Sequence, residues 1–95
     1  MLLELNKQRL IFNPLMQIHI LAFGITREIC GARTFELELP DNSDTETLKE
    51  ILFVRFPRLQ ALSSCLLAVN ANYAHEPQIL ASGDEVALIP PVSGG

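Results

Sequence analysis

From Met16 to Phe23 the chain alternates. Ile18, Ile20 and Ala22 fall on one face, and Gln17, His19, Leu21 and Phe23 fall on the other. A period of two predicts a strand, and because the second face is also mostly apolar, that strand belongs in the interior of a sheet. After Gly24, Ile25 to Cys30 is long enough for one or two helical turns closed by Gly31. Arg33 to Leu39 alternates more cleanly, with Phe35, Leu37 and Leu39 on one side and Thr34, Glu36 and Glu38 on the other, which predicts a half-exposed strand.

The period then changes. Pro40 to Asp44 has loop composition and ends in a helix-start signal: Ser43 with Glu46 fits a capping box, and Asp44 with Thr47 is the alternative one residue later. Leu48, Ile51, Leu52, Phe56 and Leu59 recur at helical spacing and give one apolar stripe for packing on a sheet. Pro57 should end the regular helix near Phe56.

Leu66 to Val69 is a short apolar strand that enters a turn at Asn70-Ala71-Asn72-Tyr73. Gln78 to Ala81 is a candidate edge segment, Gly83-Asp84 a further turn, and Glu85 to Ile89 the last strand. That strand is almost wholly apolar and is expected at the centre of the sheet. Two strand pairs joined by one amphipathic helix predict an α+β fold, a mixed sheet crossed by one main helix.

Residues 1–15 stand outside this plan. Asn13-Pro14 interrupts the approach to Met16, and a second methionine just before the first clean strand resembles a native start, so 1–15 reads as an N-terminal extension and 16–89 as the domain. Leu10, Ile11 and Phe12 could still pack on the sheet edge or a neighbouring chain.

Composition narrows the chemistry. Ninety-five residues with 48% hydrophobic content make one domain with a modest core. The net charge is −4 and the basic residues, Lys7, Arg9, Arg27, Arg33, Lys49, Arg55 and Arg58, are scattered, which argues against nucleic acid. No apolar run reaches the length of a bilayer span. Met1-Leu2-Leu3 is followed by Glu4, Asn6, Lys7, Gln8 and Arg9, which break any signal-peptide core. Cys30 and Cys65 lack a CxxC spacing or a histidine cluster and read as reduced packing residues of a cytoplasmic protein. His19 and His75 have no second ligand at metal spacing, and no metal is expected.

The segment 90–95, Pro90-Pro91-Val92-Ser93-Gly94-Gly95, carries the chemical signal. The prolines lack amide hydrogens and fix φ, so the ladder of Glu85 to Ile89 cannot continue and the tail must leave the fold extended. Gly94 and Gly95 have no side chains, so they can thread a narrow channel and deliver a terminal carboxylate to another enzyme's active site. Ala87 and Ile89, as the alternate pair of the last strand, are candidates for an apolar docking patch beside the exit, with core packing as the alternative.

Gly83-Asp84-Glu85-Val86-Ala87-Leu88-Ile89-Pro90-Pro91-Val92-Ser93-Gly94-Gly95 is similar, nearly position for position, to the terminal signature of the ubiquitin-like β-grasp sulfur carriers, most closely the molybdopterin synthase small subunits. Phe23 to Gly31, Arg55-Phe56-Pro57-Arg58-Leu59 and Val69-Asn70 support the resemblance, which spans Met16 to Gly95. It departs from the family in the N-terminal extension and at Asp44-Thr45, where the family often has Thr followed by Val.

The resemblance implies a β-grasp fold and a protein-borne sulfur donor. Gly95 would be converted to an acyl-adenylate by a ubiquitin-activating-type adenylating enzyme that supplies ATP and magnesium, and then to a thiocarboxylate with sulfur from a donor protein. Pro90, Pro91, Val92, Ser93 and Gly94 would thread the tail into the molybdopterin synthase large subunit. There, cyclic pyranopterin monophosphate would receive two sulfurs on the way to the molybdenum cofactor. Catalytic groups are expected on that large subunit, and this chain, which has no phosphate-cradling glycine loop, is expected to bind no cofactor itself. Arg27 is the resemblance's candidate for an ion pair with a partner. The alternatives are a thiamin-type sulfur carrier, a ubiquitin-like protein modifier, and a binding module with an inert tail.

Overall fold

The computed structural model describes residues 14–62 and 64–91. Strand β1 (Leu15–Ala22) buries Met16, Ile18, Ile20 and Ala22 and exposes Leu15, Gln17 and His19, as its alternation requires. It starts one residue before the expected boundary because Leu15 already pairs with Pro40 of β2 (Thr34–Pro40). The Pro14 carbonyl also accepts from the Asp41 amide at 3.1 Å, which ties the chain down where it enters the sheet. Residues 1–13, most of the expected extension, lie outside the described residues.

Helix α1 (Ile25–Cys30) connects β1 to β2 and is closed by Gly31 at φ 76, whose amide donates to the Arg27 carbonyl. This is a left-handed helix stop that glycine adopts without a Cβ penalty. The middle cross-strand pairs on the outer face of β1 and β2, Gln17 with Glu38 and His19 with Glu36, are polar, with His19 Nδ1 3.8 Å from Glu36 Oε1.

Helix α2 (Thr45–Arg55) is capped by Asp44, whose Oδ1 accepts from the Thr47 amide at 2.9 Å. That amide is the main reason the Asp44 carboxyl is held below the usual carboxylate range. Of the two start signals in the sequence, Asp44 with Thr47 forms and the Ser43–Glu46 box does not. Ser43 is buried in the preceding loop, where its hydroxyl donates to the Pro40 carbonyl at 2.6 Å and its carbonyl accepts from Leu80. The stripe behaves as its spacing predicts: Leu48, Leu52 and Leu59 are buried, with Ile51 and Phe56 half-buried at its margin. Pro57 ends the helix, and Pro57–Ala61 continues as a 3-10 turn.

Strand β3 (Leu66–Val69) folds back into β4 (Asn72–Tyr73) through Asn70 and Ala71, both at positive φ, 49 and 73. Two left-handed central residues define a two-residue hairpin whose twist suits the flanking strands. The turn is therefore shorter than the sequence suggests, since Asn72 and Tyr73 already pair with Val69 and Ala68. Gln78 to Ala81 does not extend the sheet edge; it straps the start of α2 instead. Ile79 bridges Asp44, and Thr45 and Gln78 bond through both their amides, the Thr45 hydroxyl accepting one of them. A threonine at the first helical position has both an amide and a hydroxyl free for this.

Strand β5 (Glu85–Ile89) lies at the centre, in the order β2-β1-β5-β3-β4, parallel to β1 and antiparallel to β3. The sheet is mixed and α2 crosses its inner face, the α+β β-grasp arrangement. Ile18, Ile20, Leu39, Leu48, Val86 and Leu88 are completely buried between them.

Because Leu52 is buried in this layer and Lys49 is not, Leu52→Ala should destabilise by about 2 to 5 kcal/mol. Lys49→Ala removes only an i,i+3 contact to Glu46 at 3.6 Å, worth less than about 0.5 kcal/mol. Chemical denaturation of both variants checks the helical phase.

Candidate functional site

The last hydrogen-bonded residues of β5 are Leu88, paired to Ala22 on one side, and Ile89, paired to Leu66 on the other. Pro90 then removes the next donor and ends the ladder in the middle of the sheet rather than at its edge. The tail therefore starts flanked by strands. Pro90 and Pro91 are half-buried there; Val92, Ser93, Gly94 and Gly95 lie outside the described residues.

Two features fix the root of the tail. The β1–β5 register runs on from Ala22 and Leu88 to bring Gly24 beside Pro90, and a Cβ built on Gly24 would lie 3.0 Å from the Pro90 Cγ. Gly24 also takes φ 54, a conformation that disfavours any residue with a Cβ. Two residues on, the fully buried Thr26 hydroxyl accepts from the Phe23 amide at 2.8 Å, donates to the Phe23 carbonyl, and sits 3.4 Å from the Leu88 carbonyl. The sequence offered only a glycine after a strand; nothing in its spacing shows that Gly24 and Thr26 meet the last strand.

The outer face of the same strands is apolar. Val86 and Leu88 take the inner positions of β5, which leaves Ala87 and Ile89 half-buried on the outside. Ala87 pairs with Leu21 and Ala68, and the small side chains leave a groove of about 300 Å³ between Phe23 and Tyr73, with Ile89 beside the tail root. Leu66, paired to Ile89, is 51% exposed, and Phe23 and Tyr73 are about as exposed. So many open apolar side chains around one groove are characteristic of an interaction surface. Phe23 and Leu21 were visible as the mostly apolar second face of β1. Leu66 was not, because a four-residue apolar run does not reveal which side faces out.

Arg27 is exposed on α1 and shares a small cavity of about 130 Å³ with Phe23 and Arg33, at the corner of the sheet from which the tail departs. Another concavity, about 380 Å³, follows Thr47, Ile51, Val54 and Arg55 along α2. It is on the helix side of the sheet. Cys30 and Cys65 are unbridged and half-buried against the core; burial pushes both thiols up, so they stay protonated at neutral pH. Among the described residues, no three His, Cys, Asp or Glu side chains cluster as metal ligands, and no helix is long and apolar enough to cross a membrane.

The described part of the site is thus a central strand that ends at Pro90 beside an open apolar face. The ThiS family model matches residues 20–95. The chain belongs to the ThiS family. One relative is the molybdopterin synthase sulfur carrier subunit of Arabidopsis thaliana, 37% identical over 81 residues that cover 84% of each chain. The fold matches the putative molybdopterin converting factor subunit 1 of Pyrococcus furiosus with a TM-score of 0.74 at 24% identity, over 81% of this chain and 99% of the other. It also matches a structure of subunits 1 and 2 of the molybdopterin-converting factor of Helicobacter pylori in complex, with a TM-score of 0.62 at 27% identity over 84% of this chain and all of the other. Among the described residues, what the site presents is a strand end and an apolar face.

Proposed function

We propose that this ThiS family protein is a cytoplasmic sulfur carrier, the small subunit of molybdopterin synthase, with the reactive group on the carbonyl carbon of Gly95. The observation that carries the reading is the central strand that ends before Pro90-Pro91, beside an apolar face, in a chain whose sequence closes on Gly94-Gly95. The Arabidopsis relative, named as a molybdopterin synthase sulfur carrier subunit, supports it, and the Helicobacter complex supports a second subunit as the partner.

The chemistry follows from what a carboxylate lacks. At neutral pH it is a poor electrophile and a poor nucleophile, so an adenylating partner must use ATP and magnesium to join Gly95 to AMP with loss of pyrophosphate. A persulfide on a donor protein then displaces AMP to give an acyl disulfide, and a second thiol cleaves its S–S bond, leaving a thiocarboxylate on Gly95 and a disulfide on the thiol side. The thiocarboxylate sulfur attacks the pterin precursor on the large subunit, and water hydrolyses the resulting thioester, leaving the sulfur on the pterin and a carboxylate on Gly95. This chain contributes delivery. Gly94 and Gly95 pass where a side chain would collide, and the two prolines limit the freedom that the tail loses on entering a pocket.

Docking falls to the outer face. Leu66, Ala87 and Ile89 provide apolar area, and Arg27 a rim charge whose attraction salt would screen. Leu66→Glu places a charge on an exposed position of this face. It should leave the melting temperature nearly unchanged while weakening large-subunit binding by about tenfold or more, as loss of a buried apolar anchor does. Titration calorimetry against the large subunit reads this directly, and unaltered affinity would move the docking surface elsewhere.

Tail chemistry is tested separately. Deleting Gly95, or appending one residue after it, should abolish conversion of cyclic pyranopterin monophosphate in a reconstituted synthase and leave thermal stability unchanged. Activity in the capped protein would contradict the thiocarboxylate mechanism.

A further inference from the structure

We infer that Gly24 and Thr26 are positioning residues that aim the tail: they fix the direction in which Pro90 leaves the sheet, and thereby the place that Gly95 reaches in a partner's active site. The inference rests on the sulfur-carrier reading and adds to it the part of the fold that sets the trajectory.

Two independent contacts support it. Beyond Ala22 and Leu88 the parallel β1–β5 ladder cannot be bonded further, because Pro90 has no amide hydrogen. Steric contact replaces the bond. The Pro90 ring sits against the bare Cα of Gly24, so close that a Cβ would lie 3.0 Å from its Cγ, tighter than side chains normally approach. Gly24 at φ 54 holds the chain in that close pass. Thr26 then locks the turn from behind: it is wholly buried, its hydroxyl is bonded at Phe23, and it lies 3.4 Å from the carbonyl of Leu88, two residues before Pro90. The turn after β1 and the root of the tail are thus held as one unit. None of these atoms belongs to the apolar docking groove except Phe23, so aim and docking are separable in the molecule.

The separation defines the test. The full-length protein is assayed with its adenylating enzyme and ATP, and kcat and KM are read from pyrophosphate release. A displaced tail loses reaction geometry rather than docking, and a misplacement of about 1 Å can reduce a rate by about a hundredfold. Gly24→Ala should therefore lower kcat by about tenfold or more with KM within about twofold. Thr26→Ser keeps the hydroxyl and should behave as wild type; Thr26→Val should behave as Gly24→Ala, and this pair decides the matter if Gly24→Ala does not fold. Wild-type kcat in a folded Gly24→Ala protein, or equal effects of the two Thr26 changes, would overturn the inference. A nuclear Overhauser contact between the Gly24 α-protons and the Pro90 ring tests the geometry without any partner. If that contact is present but the wild-type protein is never adenylated, the carrier reading fails and the geometry stands.

Discussion

The parallel pairing of β1 with β5 is the constraint from which the rest follows. It joins two segments far apart in the sequence, and its residues on the inner side, Ile18, Ile20, Val86 and Leu88, are completely buried under α2. At about 1.5 to 3 kcal/mol for each fully buried aliphatic side chain, these four provide a large share of the drive to fold. The same pairing puts the end of the chain in the middle of the sheet. A tail that leaves from an edge strand would have one flank open; here it leaves between β1 and β3, and its root is held on both sides.

Alternation turns that constraint into a division between faces. Each residue that β5 sends inward to α2 is followed by one sent outward, so the strand that anchors the core also carries Ala87 and Ile89 on the opposite surface. Small side chains at Ala68 and Ala87 leave the surface concave, and Phe23, Leu66 and Tyr73 stand around it. At the far end of β1 the outer face is polar, with Gln17, His19, Glu36 and Glu38. The apolar groove lies towards the end of β1 and β5 where the tail begins, and Leu15 is a separate exposed apolar residue at the opposite end of β1.

Much of this was legible in the sequence, for local reasons. The period-two runs gave both long strands, the helical stripe gave α2 and its buried Leu48 and Leu52, and Gly31 and Pro57 marked where helices stop. The apolar content of Glu85 to Ile89 placed that strand at the centre. What local pattern could not supply was pairing between distant segments. Ser43 and Asp44 are equally good caps in sequence, and only the strap from Gln78 to Leu80, which engages the Ser43 carbonyl and Thr45, leaves Asp44 as the cap. Asn72 and Tyr73 look like turn residues until β3 is beside them. Gly24 and Thr26 belong to a stretch that supports the family resemblance, but their contact with Pro90 and Leu88 is visible only once the β1–β5 register brings them together. The candidate tail was readable because its chemistry lies in residue types; the device that holds it was not, because it lies in a contact.

A sulfur carrier is defined by the state of its terminal carboxyl group in the cell. The most direct measurement is the intact mass of the protein, isolated from cells that contain its adenylating enzyme and from cells that lack it. One sulfur-for-oxygen exchange, located at Gly95 by fragmentation and present only in the first sample, is the predicted result. The same unmodified mass in both would contradict a carrier role for this chain.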